Sequence, residues 1–176
     1  MAETVRSLSE LGVRAQGGRE ATVTGLSVDS RQVKPGHLFA ALPGTRMHGG
    51  EFIQYALRME AAAILTDREG AEIAKAELAA STAALIVVED PRQVLAYTAA
   101  LWFGRQPETV VAVTGTSGKT SVATFTRQIW QALDHRAANL GTIGVLGDFT
   151  APLAHTTPEP ITLHRVLRDM AEAGVT

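Results

Sequence analysis

Hydrophobic and polar positions alternate in two regimes along the chain, and the first is strand-like. Apolar residues gather at 23–28 and 38–42 in runs too short for helices, separated by the polar corner Asp29-Ser30-Arg31 and the turn dipeptide Pro35-Gly36. Both runs are predicted strands. Further on the spacing lengthens: 51–60 predicts a helix, 62–65 a strand, 69–80 a second helix, and Ala84-Leu85-Ile86-Val87-Val88 a buried strand. Asp90 then supplies an N-cap and Pro91 a residue preset for the first helical position. They open a helix running to about Phe103, with Val94, Leu95, Leu101 and Trp102 as its apolar positions.

Gly104-Arg105-Gln106-Pro107 interrupts this pattern and is followed by Thr109-Val110-Val111-Ala112-Val113, an almost purely apolar strand of the parallel-sheet type. A domain boundary is expected there, dividing the chain into 1–107 and 108–176. A helix starting at Lys119 carries Val122, Phe125, Ile129, Trp130 and Leu133 on one face. A β segment at 138–145 and a loop precede another helix near Pro160, with Leu163, Val166, Leu167 and Met170 at i, i+3, i+4 and i+7. The closing residues Ala171-Glu172-Ala173-Gly174-Val175-Thr176 read as a helix end, its glycine cap and the start of a further strand. The alternation predicts an α/β fold: a small α/β N-terminal domain followed by the start of a P-loop-type parallel-sheet domain. Two parallel strands alone would leave long unpaired edges, so that second sheet is expected to be cut short in this chain.

Composition changes the picture mainly by exclusion. Of 176 residues, 45% are hydrophobic, enough to bury a core. Sixteen basic and eighteen acidic residues leave a formal charge of -2, which gives no bulk electrostatic reason for binding nucleic acid or an anionic membrane. The absence of cysteine excludes disulfides, thiolate metal sites and cysteine nucleophiles. No apolar stretch has the length of a signal peptide or a membrane span, so a cytoplasmic location without membrane insertion is the expectation. His37, His48, His135, His155 and His164 show no metal-ligand spacing, and there is no nucleophile elbow. Glu89-Asp90 reads as helix capping.

One segment carries chemistry of its own. In Gly115-Thr116-Ser117-Gly118-Lys119-Thr120, two glycines allow the backbone N–H groups to approach phosphate oxygens that a Cβ would obstruct. Lys119 would set a positive charge at the β and γ phosphates of ATP, and the Thr120 hydroxyl is spaced to ligate Mg²⁺. The usual spacing G-x-x-x-x-G-K-[ST] would require glycine at position 113, where this chain has Val113, so the loop is a variant. A glycine turn that happens to carry lysine is the plainer reading. A preceding apolar strand and a following amphipathic helix favour the phosphate loop.

Thr114-Gly115-Thr116-Ser117-Gly118-Lys119-Thr120 resembles the T-G-T-N-G-K-T loop of the Mur ligases, with Ser117 in place of the common asparagine. Two further segments look like the same family. One is Ser27-Val28-Asp29-Ser30-Arg31 followed by Pro35-Gly36-His37-Leu38-Phe39-Ala40-Ala41; the other is Leu140-Gly141-Thr142-Ile143-Gly144 followed by Thr156-Thr157-Pro158-Glu159. The later pair resembles the branch that adds the third peptide residue. The resemblance implies an ATP-dependent amide ligase of peptidoglycan biosynthesis that joins a diamino acid to UDP-N-acetylmuramoyl-L-alanyl-D-glutamate through an acyl phosphate. It implies that 1–107 binds the UDP-linked substrate and that 108–176 begins the ATP-binding domain.

Carried over residue by residue, the resemblance gives ATP contacts to Gly115, Thr116, Ser117, Gly118, Lys119, Thr120 and Ser121, a catalytic role to Lys119 and the metal to Thr120. It gives the UDP-linked substrate to Val28, Ser30, Thr45, Arg46, Met47, Thr156 and Thr157. Asp29-Ser30-Arg31 also fits a solvated, side-chain-capped turn. Thr156-x-x-Glu159 also fits a capping box ahead of Pro160, and Glu159 reads as a helix cap in preference to a metal ligand. Two other readings stay open: a module that binds the UDP-linked substrate without catalysing, and a different ATP-using ligase, either another Mur ligase or a folylpolyglutamate synthetase.

Overall fold

The computed structural model describes residues 4–153 and 158–176 and divides into two compact units, Met1–Trp102 and Phe103–Thr176. In the first unit, β1 (Arg6–Ser7) pairs antiparallel with β2 (Thr22–Val23). The sheet proper is four parallel strands in sequential order: β3 (Gly25–Ser27), β4 (His37–Ala40), β5 (Ala63–Thr66) and β6 (Ala84–Val87). The apolar run predicted as one strand at 23–28 therefore serves two sheets. It breaks at Thr24, whose N–H donates to the Gly36 carbonyl at 2.9 Å. All four residues of β5 are buried, as a parallel strand covered on both faces requires.

The helices meet the sheet through small and branched apolar side chains. A 3₁₀ turn at Gly49–Phe52 leads into α1 (Ile53–Arg58), which ends at Glu60 with φ 59°. The helix predicted at 69–80 is two short ones, α2 (Arg68–Ile73) and α3 (Lys75–Ala79), because Ala74 leaves helical geometry at φ -102° and ψ 24°. Phe39, Ile53, Ala56, Ile64 and Ala74 form one buried cluster with Val33, Ala41 and Ala61. Helix α4 (Pro91–Phe103) starts as the sequence predicts, with the Asp90 carboxylate accepting from the Gln93 N–H at 3.0 Å. It buries Leu95, Thr98 and Ala99, whereas Leu101 is 46% exposed.

The second unit contains α5 (Lys119–Ala132), a hairpin of β7 (Ala138–Gly141) and β8 (Gly144–Gly147), and α6 (Pro160–Glu172). The run predicted at 138–145 thus folds back on itself. Thr142 and Ile143 make the turn, and Gly144, at φ 110°, faces Gly141 across it. Its core lies between hairpin and α6, where Val145, Val166, Leu167, Met170 and Val175 are buried together. The α6 end closes as the sequence predicts. Gly174 has φ 85°, its N–H donates to the Ala171 carbonyl, and the Val175 N–H donates to Met170, each at 3.0 Å.

One further expectation in this unit fails. Residues 109–113 form no strand, because no strand among the described residues pairs with them, and Val110 and Val111 are more than half exposed. The apolar face of α5 is also uncovered, with Val122, Phe125, Ile129 and Leu133 all above half exposure. The hairpin instead meets α5 through polar groups. Arg127 Nε donates to Asn139 Oδ1, and Gln131 Nε2 to Asp148 Oδ2, both at 2.8 Å.

Candidate functional sites

The first unit carries an open cleft of about 680 Å³ beyond the carboxyl ends of β3 and β4. Parallel strands direct their loops to this end, and here two loops form the walls. One is Val28, Asp29, Ser30 and Arg31; the other contributes Leu42, Met47 and Gly49. Buried Phe39 and part-buried Phe52 supply apolar lining, and half-exposed Tyr55 stands at the edge.

The Asp29 corner is held by its own side chains. Ser27 Oγ donates to the Asp29 carbonyl at 2.8 Å, and the Asp29 carboxylate accepts from the Arg31 N–H at 3.0 Å, capping a 3₁₀ turn at Ser30–Gln32. The Arg31 guanidinium grips the same carboxylate, Nη2 to Oδ2 at 2.7 Å. That grip, with the Arg31 amide, holds the Asp29 carboxyl below the usual carboxylate range. The capped turn is thus also part of the cleft wall.

Among the residues expected to bind substrate, Val28, Ser30 and Met47 line this cleft together. Thr45 and Arg46 lie on the exposed loop before Met47 and are not among the lining residues. Thr156 and Thr157 fall outside the described residues, as does His155. Glu159 is the α6 N-cap itself and not the third residue of a capping box: its carboxylate accepts from the Ile161 and Thr162 N–H groups at 2.6 and 2.8 Å.

The second unit presents the glycine loop fully to solvent, from Gly115 through Ser121. Gly118 adopts a left-handed conformation, φ 75° and ψ -3°, and precedes α5 with no side chain capping the helix. The amides of the first turn are therefore left for a ligand or water, and the helix dipole adds positive potential there. Lys119 Nζ donates to the Gly115 carbonyl, which brings its charge to the loop. Thr120 sits exposed in that first turn. No cluster of three or more His, Cys, Asp or Glu side chains capable of holding a metal occurs among the described residues.

Sequence reading missed the aromatic part of the cleft and the support beneath it. Phe52, the last residue of the turn, and Tyr55, in the first turn of α1, lie three apart, a spacing indistinguishable from core packing. His48 is joined to Asp67, a contact between distant positions that no local pattern announces.

A family model described as Mur ligase family, catalytic domain, matches residues 22–102, and another, Mur ligase middle domain, matches residues 113–176. The chain belongs to the Mur ligase family. It is similar to proteins named UDP-N-acetylmuramoyl-L-alanyl-D-glutamate--2,6-diaminopimelate ligase. The one from Mesorhizobium japonicum is 46% identical over 94% of this chain and 33% of its own length, and the one from Brucella melitensis 47% identical over 89% and 31%. A solved structure of an enzyme of that name superposes with a TM-score of 0.75 at 27% identity, covering 98% of this chain and 34% of that one. The chain thus spans about a third of the length of the relatives it matches.

Proposed function

We propose that this chain is the substrate-binding and ATP-anchoring part of a cytoplasmic ligase that adds a diamino acid to UDP-N-acetylmuramoyl-L-alanyl-D-glutamate. Residues 1–107 bind the UDP-linked substrate and residues 108–176 begin the ATP-binding domain. The observation that carries this is the exposed Gly115–Ser121 loop, which leads into an uncapped helix and has Lys119 folded onto it. The relatives' names support the choice of acceptor and of diamino acid.

The chemistry follows from what these residues supply. Amides at the start of α5 and the Lys119 ammonium hold phosphate oxygens and offset charge that grows as the terminal phosphoryl group leaves ATP. The D-glutamate carboxylate receives that group and becomes an acyl phosphate. The diamino acid's amino group then attacks the acyl carbon and expels phosphate, leaving an amide. Mg²⁺, ligated by Thr120, would supply further charge neutralisation at the phosphates. The cleft holds the uridine nucleotide end: Val28, Ser30 and Met47 line it, and Thr45 and Arg46 act from the adjoining loop. Thr156 and Thr157 contact the muramoyl-peptide end.

Isothermal titration of the intact ligase with UDP-N-acetylmuramoyl-L-alanyl-D-glutamate tests the first half of this reading. Saturable binding that Ser30→Trp weakens by at least tenfold is expected, on the scale of filling a ligand pocket with a bulky ring. Binding that is absent, or indifferent to Trp at position 30, would contradict it.

A further inference from the structure

The loop that carries Thr45, Arg46 and Met47 is short and exposed, yet its base is tightly built. The Gly49 N–H donates to the Leu42 carbonyl at 2.8 Å and closes the loop. A Cβ on Gly49 would stand 2.6 Å from the Leu42 nitrogen, so only glycine permits the approach. At the far end Gly44 curls back, and a Cβ there would meet the Met47 carbonyl oxygen at 2.5 Å.

His48 sits between this loop and the sheet, with its side chain 9% exposed. Nδ1 accepts from the Gly50 N–H at 2.9 Å. A ring nitrogen that accepts cannot also hold a proton, so the proton of the neutral ring is on Nε2. Nε2 lies 3.1 Å from Asp67 Oδ1 and 3.2 Å from Oδ2. Asp67 follows β5 directly and is fixed in turn, because Oδ1 accepts from the Gly70 N–H at 2.8 Å and caps α2. Gly70 leaves room for the ring, since a Cβ there would stand 2.6 Å from His48 Cε1. Beside it Thr66 Oγ1 donates to the Ala41 carbonyl at 2.9 Å, joining the ends of β5 and β4.

We propose that His48, oriented by Asp67, is a positioning residue that fixes the 43–47 loop against the cleft and so sets the affinity for the uridine-linked substrate. The ring joins three separate pieces: the loop through its own backbone, the 3₁₀ turn through Gly50, and the end of β5 through Asp67. Met47 and Gly49, which line the cleft, flank it in sequence. This rests on the cleft being the uridine site, as proposed above.

Steady-state kinetics of the intact ligase, with UDP-N-acetylmuramoyl-L-alanyl-D-glutamate as the varied substrate, test the assignment. His48→Ala is expected to raise KM for that substrate about tenfold while leaving kcat and KM for ATP unchanged, the signature of lost binding and not of lost chemistry. Asp67→Asn keeps an oxygen for the Gly70 N–H but offers His48 no carboxylate, and should reproduce the effect. The double variant should be no worse than either single one. Nitrogen-15 spectra of the imidazoles should show Nε2 protonated and Nδ1 not, as the Gly50 N–H requires. An unchanged KM in both variants, an equal fall in kcat, or additive effects would overturn the proposal. Should His48→Ala fail to fold, Asp67→Asn carries the decision. A wild-type enzyme that does not bind the substrate would instead refute the uridine-site reading, and the role of His48 with it.

Discussion

Three aspartates have carboxyl groups below their ordinary range, each for an identifiable reason. Asp29 is held by the Arg31 guanidinium and amide, and Asp148 by the Gln131 amide and the Ala137 N–H. At Asp67 burial pushes upward most strongly, but the Gly70 N–H and the His48 ring together outweigh it. Each group has a lower pKa in the folded state than the ordinary aspartate value of 3.8. The folded state therefore binds fewer protons, and the stability these groups contribute is complete above that value. It is lost as pH falls below 3.8 through the folded values. Urea midpoints measured downward from pH 6 should hold level and then drop below about pH 4, with Asp29→Asn and Asp67→Asn flattening the drop. A midpoint that fell equally in the variants would contradict the assignment. At this scale the sequence is informative where a residue acts on near neighbours: Asp90, Gly174 and the Asp29 corner were all readable. The His48–Asp67 contact was not, because it bridges 19 positions and depends on which strands pair.

Elements divide the same way. The parallel strands were readable as short apolar runs, and the Pro91 start of α4 as a cap followed by proline. The hairpin was hidden because its turn, Thr142-Ile143, interrupts neither the apolar run nor its β character. The run at 109–113 has the right composition but pairs with no strand among the described residues, and a ladder requires two strands. The two caps at α6 differ in kind. Gly174 follows from backbone geometry, whereas Glu159 caps with a longer side chain than the usual N-cap residues. Its two bonds to the first turn, with a negative charge at a helix N-terminus, should contribute about 1 kcal/mol. Glu159→Ala is expected to speed hydrogen exchange of the Ile161 and Thr162 amides about fivefold while the mid-helix amides of Val166 and Leu167 hold their rates. Unchanged exchange at the first turn would remove the capping role.

Across the whole chain, each unit holds one kind of binding feature: the cleft belongs to the first and the glycine loop to the second. The apolar stripe of α5, from Val122 to Leu133, is exposed in the second unit, a larger apolar surface than a helix normally leaves to water. The family assignment rests on both units, since residues 22–102 match one family model and residues 113–176 the other. The glycine loop alone supports a proposal of phosphate binding and no more; the cleft and the relatives' names direct the proposal toward a UDP-linked peptide acceptor. The most direct measurement is the ATP-dependent joining of radiolabelled diaminopimelate to UDP-N-acetylmuramoyl-L-alanyl-D-glutamate by the intact ligase, wild type beside Lys119→Ala. The wild type should form the tripeptide with one phosphate released per amide. The variant should retain substrate binding and lose on the order of a thousandfold in kcat, the scale of a phosphate or oxyanion clamp removed. Product formation without ATP, or wild-type turnover in Lys119→Ala, would contradict the proposed function.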